Sequence, residues 1–289
     1  MADQPQSPSD TTAESSKLKI YFLPNLLTAG NLFCGFVALT KIVEANLNPD
    51  ANGHVDWAPI KFALAAILLA CIFDLFDGRV ARMGGHESPF GREFDSLADL
   101  ISFGAAPAFL VHRVVLGRVL PDEYTQLGWF IASIYLICGA FRLARFNCLA
   151  AMNLPGAGKD FLGFPIPSAA GLVASLTLFI IKWNEKERDL GHWGYLLPVV
   201  LVFLSAMMVS EVRYPSFKAL GLRSTTTFLK LIIVVLFAGS LFILREKILY
   251  YILPLFFTGY LLYGFIRPYI SRAWRREIEE DDDEAEAAH

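Results

Sequence analysis

Residues 73–99 read FDLFDGRVARMGGHESPFGREFDSLAD and place four aspartates, Asp74, Asp77, Asp95 and Asp99, at the ends of two strongly apolar runs. Read as helix, Asp74, Asp77, Gly78, Ala81 and Arg82 follow one another at i, i+3, i+4, i+7 and i+8 and share one face. Gly91, Asp95 and Asp99 are spaced by four and share a face of the next helix. Between the two, Gly84, Gly85 and the Ser88-Pro89 pair form a breaker that can fold the second helix back antiparallel to the first. The pattern therefore predicts two acidic faces that meet.

Carboxylates at membrane depth are costly without positive partners, and this segment offers only Arg79, Arg82 and Arg92. Four acids with few bases ask for divalent cations. Oxygen-only ligation suits a hard ion, Mg2+ or Mn2+, and leaves positions for phosphate oxygens. Glycines beside Asp77 and four residues before Asp95 leave room for a ligand against the backbone.

Working outward, the chain is too apolar for a soluble domain: of 289 residues, 55% are hydrophobic and 18% charged. The reading is an all-α integral membrane protein with about eight transmembrane helices, near 24–43, 58–77, 94–116, 127–149, 161–183, 195–212, 228–244 and 248–266. Residues 1–19 read as a disordered tail with neither a signal peptide nor a span, 20–270 as the membrane-embedded domain, and 271–289 as a basic then acidic disordered tail. That acidic end conceals a basic body behind the net charge of −3. Cys34, Cys71, Cys138 and Cys148 have no metal or redox spacing and read as small packing residues.

Basic residues set the orientation. The side that carries Lys17, Lys19, Arg79, Arg82, Arg92, Arg142 and Arg145 is richer than the side of Lys41, Lys61, Arg113 and Arg118, where Glu44, Asp50 and Asp56 dilute the charge. Both termini and the aspartates are thus expected on the cytoplasmic side, in the inner membrane if the source is bacterial.

Three further stretches carry polar groups into apolar helices. In 24–36, Asn25, Thr28 and Asn31 serve either helix–helix hydrogen bonds or a polar wall for a nucleotide base and ribose. In 141–147, Arg142 and Arg145 stand at i, i+3 with Asn147 beyond them, and suit either interfacial anchoring or an anion such as a carboxylate or phosphate. In 159–171, Pro165 and Pro167 are expected inside a span, where freed carbonyls can line a cavity.

The string D-x-x-D-G-x-x-A-R-x8-G-x3-D-x3-D runs from Asp74 to Asp99 without a mismatch and resembles the signature of the CDP-alcohol phosphotransferase family. The resemblance implies an enzyme in which an alcohol displaces CMP from a CDP-linked lipid. It implies that Asp74, Asp77 and Asp95 hold the metals, that Asp99 shares in ligation, and that Asp99 is the catalytic base. Asn25, Thr28, Asn31, Gly78, Ala81, Arg82 and Gly91 would bind the CDP-lipid, with Arg82 on phosphate oxygens. The three polar stretches resemble the branch whose substrates are CDP-diacylglycerol and L-serine, and Arg142, Arg145 and Asn147 would then hold serine. A homodimer is implied too, with the bilayer as environment and no nucleic-acid partner. No His or Cys is taken to stand at helical spacing to the acids, so direct displacement is the simpler route.

Two other readings stand beside this one. The same chemistry with glycerol 3-phosphate, an inositol phosphate or choline would want a larger basic pocket or an aromatic cage, for which Phe141, Phe146, Phe161 and Phe164 are candidates. A cation transporter would explain acids in spans but not Gly78, Ala81 and Arg82.

Overall fold

Inside hydrocarbon only a helix satisfies every backbone group within its own segment, so long apolar runs with few breakers become helices. The computed structural model describes residues 22–51, 55–83, 88–116, 125–152, 160–184, 195–215 and 251–267. Its helices are α1 (Phe22–Glu44), α2 (Ala58–Met83), α3 (Pro89–Leu116), α4 (Thr125–Ala151), α5 (Ile166–Asn184), α6 (Leu196–Val209) and α7 (Leu253–Ile266).

The all-α membrane architecture expected from composition is what the structure has. Among the described residues five helices, α1 to α5, are long and apolar enough to cross a membrane. Within the sixth and eighth expected spans the described residues form the 14-residue apolar helices α6 and α7, each about 21 Å long at 1.5 Å per residue. The seventh, 228–244, and both terminal tails lie outside the described residues.

The start of α1 meets the end of α2, so these two helices run in opposite directions along their shared length. α3 and α5 are the inner helices, whereas α1, α2 and α4 leave much of their surface outward. Ile60, Leu64 and Ile67 of α2, Phe103 and Leu110 of α3, and Leu172 and Val173 of α5 are buried in the common core. Phe33, Phe36, Phe62 and Phe130 face out, as side chains in contact with lipid tails do.

α3 is not uniform. It is α-helical over Pro89–Asp99, π-helical over Leu100–Ala105, α-helical over Ala106–Val111 and π-helical again over His112–Leu116. Pro107 has no N–H to give the carbonyl of Phe103 four residues earlier, and Tyr135 of α4 donates its hydroxyl to that carbonyl at 3.1 Å.

The chain also forms a short ribbon that sequence periodicity did not anticipate. β1 (Asp160–Leu162) pairs antiparallel with β2 (Arg213–Pro215), Phe161 opposite Tyr214. Residue 161 was expected to begin the fifth span, but α5 starts only at Ile166. Pro165 precedes that helix and its carbonyl accepts from Ala169 N at 3.0 Å, while Pro167 lies in the first turn, where a missing N–H breaks no bond. Both prolines therefore start a helix instead of interrupting one.

Gly163, at φ 77°, makes the turn between ribbon and helix, and its N–H donates to Val212 O at 2.8 Å. Tyr214 is buried against Gly264, with its ring edge-on to Phe164 at 5.2 Å, and burial pushes its phenol up to about 12.

Candidate active site

The local start of α3 aims two of the acids. Ser88 is extended and its Oγ accepts from Gly91 N at 3.0 Å, and Pro89 takes the first helical position, as a serine cap followed by proline should. From that fixed start, Asp95 and Asp99 come round, one turn apart, towards Asp74 of α2. One carboxylate oxygen from each of Asp74, Asp95 and Asp99 lies within 4.8 Å of the others. That spacing is close to twice a metal–oxygen distance of about 2.1 Å, and the donors are all hard oxygens, so the cluster fits an ion of the Mg2+ class.

Asp77 is placed differently. It is buried, and its Oδ2 accepts from Thr28 Oγ1 of α1 at 2.9 Å, with Pro24 O competing for the same hydroxyl at 3.1 Å. The expected convergence of four acids is thus a cluster of three with the fourth tied to α1. One turn further along α1, Asn31 Nδ2 donates to Asp99 Oδ1 at 3.0 Å. Ser102 Oγ donates to Asn31 O at 2.9 Å. This crossing is so close that a Cβ on Gly35 would collide with Ser102. Asn25, nearer the helix start, faces Gly91, where an added Cβ would come within 3.4 Å of Asn25 Oδ1.

α4 supplies the basic side chains, and it separates them. Arg142 is buried, with its guanidinium 5.7 Å from the centre of the Phe146 ring and its charge acting on Asp99 and Asp74. Arg145, one turn on, donates to four backbone carbonyls: Val209 O and Leu162 O at 2.9 Å, Ser210 O at 3.1 Å and Met208 O at 3.3 Å. Asn147 Nδ2 donates to Ser96 Oγ at 3.0 Å and Glu93 Oε2 at 3.3 Å, which ties α4 to the outer side of α3. Of the three residues assigned to serine, the structure brings only Arg142 to the carboxylates.

Gly78 lies in α2 one turn after Asp74, and the side chains of Ala81 and Arg82 lie outside the described residues. Phe141 faces outward and Phe164 is buried against Tyr214 and Tyr260, so these two rings do not share a cage. Cys71 corrects one expectation: it stands three residues before Asp74, at helical spacing after all, with its thiol 3.7 Å from Pro167 O. Sequence reasoning also passed over Ser102, Ser96 and Tyr135. Ser102 had a signal, as a polar residue three positions after Asp99 in an apolar run.

The fold and site together define a multi-pass helical membrane protein with a carboxylate cluster of metal-ligand type where α1, α2, α3 and α4 meet. The chain belongs to the CDP-alcohol phosphatidyltransferase family, whose model matches residues 21–210 and so takes in every site residue described above. It is 35% identical over 250 residues to a CDP-diacylglycerol–serine O-phosphatidyltransferase of Helicobacter pylori, covering 86% of this chain and 91% of that one. It is 32% identical over 197 residues to the protein of the same name from Bacillus subtilis, covering 68% and 92%. It is 30% identical over 201 residues to the archaetidylserine synthase of Methanothermobacter thermautotrophicus, covering 69% and 72%. The protein is therefore an enzyme, which sets aside the cation-transporter reading.

Proposed function

We propose that the protein transfers the phosphatidyl group of CDP-diacylglycerol to the hydroxyl of L-serine, forming phosphatidylserine and releasing CMP. The observation that carries this reading is the three-carboxylate cluster with Arg142 facing it, in a chain whose relatives bear the serine transferase name. In the reaction the serine oxygen forms a bond to the phosphorus of the phosphatidyl group, and the bond from that phosphorus to CMP breaks.

Asp74, Asp95 and Asp99 would hold a divalent ion, Mg2+ or Mn2+, and Asp77 completes the ligand set that two ions would need. Bound there, the metal supplies charge neutralisation for the pyrophosphate and the departing CMP. Asp99 takes the proton from the serine hydroxyl. Arg142 pairs with the serine carboxylate, because a buried guanidinium is the fixed cation that a buried carboxylate needs. Asn25, Thr28, Gly78, Ala81, Arg82 and Gly91 would bind the CDP-lipid, with Gly91 and Gly78 letting the nucleotide lie against the helices. The acyl chains stay in the bilayer between helices. The site opens to the cytoplasm, from which serine enters and to which CMP leaves, and the enzyme sits as a homodimer in the membrane, the inner membrane if the source is bacterial.

The deciding experiment measures CMP release by purified protein with CDP-diacylglycerol and Mg2+ or Mn2+, offering serine, glycerol 3-phosphate, inositol phosphate or choline. Release with serine alone is the expected result. Release with another alcohol in its place overturns the acceptor and leaves the carboxylate chemistry standing.

A further inference from the structure

Asn31 is wholly buried in α1, and both ends of its amide lie at the site. Nδ2 donates to Asp99 Oδ1 at 3.0 Å, and the main-chain carbonyl of the same residue is held by Ser102 Oγ at 2.9 Å. The carboxylate decides which end of the amide is which, since an amide oxygen turned towards it would set two acceptors face to face. Asn31 Oδ1 is then left as a fully buried acceptor with no hydrogen-bond partner, an amide's width from Asp99. A buried acceptor without a donor is unfavourable, and native proteins keep few of them unless something else comes to fill the position.

The neighbouring polar residues show what that something is. Thr28, one turn earlier on α1, is bonded to Asp77 and belongs to the other carboxylate. Arg142 approaches the same Asp99 from α4 and brings positive charge. An acceptor molecule lying between them meets a proton-taking carboxylate, a cation and a neutral acceptor. In a 2-amino-3-hydroxy acid the hydroxyl and the ammonium sit on adjacent carbons, which matches a carboxylate and an amide oxygen held side by side.

We propose that Asn31 determines acceptor specificity: its Nδ2–H holds the Asp99 carboxylate in place, and its Oδ1 accepts an N–H of the acceptor's ammonium group. The proposal rests on the serine reading above and takes Asn31 from the nucleotide wall to the acceptor side. Asn31 is a positioning residue towards Asp99 and a binding residue towards serine.

The test compares L-serine with 3-hydroxypropanoate, which keeps the hydroxyl and carboxylate and lacks the ammonium, in the wild type and in Asn31→Ala and Asn31→Ser. The wild type is expected to favour serine strongly in kcat/KM, and both variants to lower that preference by about 10- to 100-fold. The KM for CDP-diacylglycerol is expected to stay within about twofold. Calorimetric titration of serine in the presence of CMP gives a readout without turnover, in which Asn31→Ala weakens binding by about tenfold or more. The thermal midpoint in detergent reports whether each variant is folded.

An unchanged preference, or a loss confined to CDP-diacylglycerol, returns Asn31 to the nucleotide side and overturns the proposal. Equal use of the two acceptors by the wild type overturns it with no variant needed. No CMP release by the wild type with serine would instead overturn the serine reading itself.

Discussion

Arg142 and Arg145 stand one turn apart on α4 and are used in opposite ways. Arg142 is enclosed by side chains, with the Phe146 ring against it and Asp99 and Asp74 within reach of its charge. Arg145 is enclosed by main chain, and three of its four carbonyl partners, Met208, Val209 and Ser210, belong to the end of α6. The last carbonyls of a helix have no partner within it and carry the negative end of its dipole, so Arg145 caps α6 from another helix. Its fourth partner, Leu162 O, lies at the end of β1, so one side chain joins the ribbon to the helix. An arginine in an apolar run shows that an anion or a set of acceptors is near. Which of the two it meets depends on segments of chain that return from far away in sequence.

The sharpest way to break the reactive half of this contrast is Asp99→Asn. Turnover is expected to fall by about 10^2- to 10^4-fold while CDP-diacylglycerol binding is largely retained, and unchanged turnover in a metal-replete assay would remove the base from Asp99. Arg142→Gln comes next, with kcat/KM for serine expected to drop by about 10- to 100-fold, chiefly through KM, and the lipid KM little changed. Arg145→Gln is expected to lower stability by about 2–3 kcal/mol, read as a lower thermal midpoint in detergent, with serine KM unchanged for the protein that remains folded. A selective rise in serine KM at Arg145 would restore the pairing of the two arginines that their spacing suggested. Gly30→Ala should have the smallest effect, about 1 kcal/mol of overpacking against the Phe73 ring, whose nearest atom would stand 3.1 Å from the added Cβ, measured by the same thermal midpoint.

What was legible in sequence was what helical periodicity and one turn decide. Asp95 and Asp99 are four apart, Asp74 ends an apolar run, and Ser88-Pro89 is a helix start written in two residues, so a carboxylate cluster followed from local rules. Asp77 escaped that reasoning because its neighbour, Thr28, is 49 residues away and competes for its oxygen. The two arginines share a spacing and a type, and only the position of Met208, more than sixty residues along, tells them apart. The prolines of 159–171 were read as interrupting a span because the ribbon that precedes α5 has strands of three residues, too short to show alternation. The π-helical stretches of α3 leave no mark on apolar run length, and only Pro107 with the hydroxyl of Tyr135 opposite gives a reason for the first.

The hydrogen bonds from α1 to the acids, Thr28 to Asp77 and Asn31 to Asp99, have a consequence for biogenesis. Synthesis runs from the N-terminus, so α1 is made before either acid leaves the ribosome. The donors are already in the bilayer when α2 and α3 bring in carboxylates that hydrocarbon would otherwise penalise. α1 is therefore expected to favour insertion of the helices that follow it, and a chain carrying Thr28→Val with Asn31→Leu is expected to show reduced insertion of α3 when its topology is mapped by glycosylation during translation.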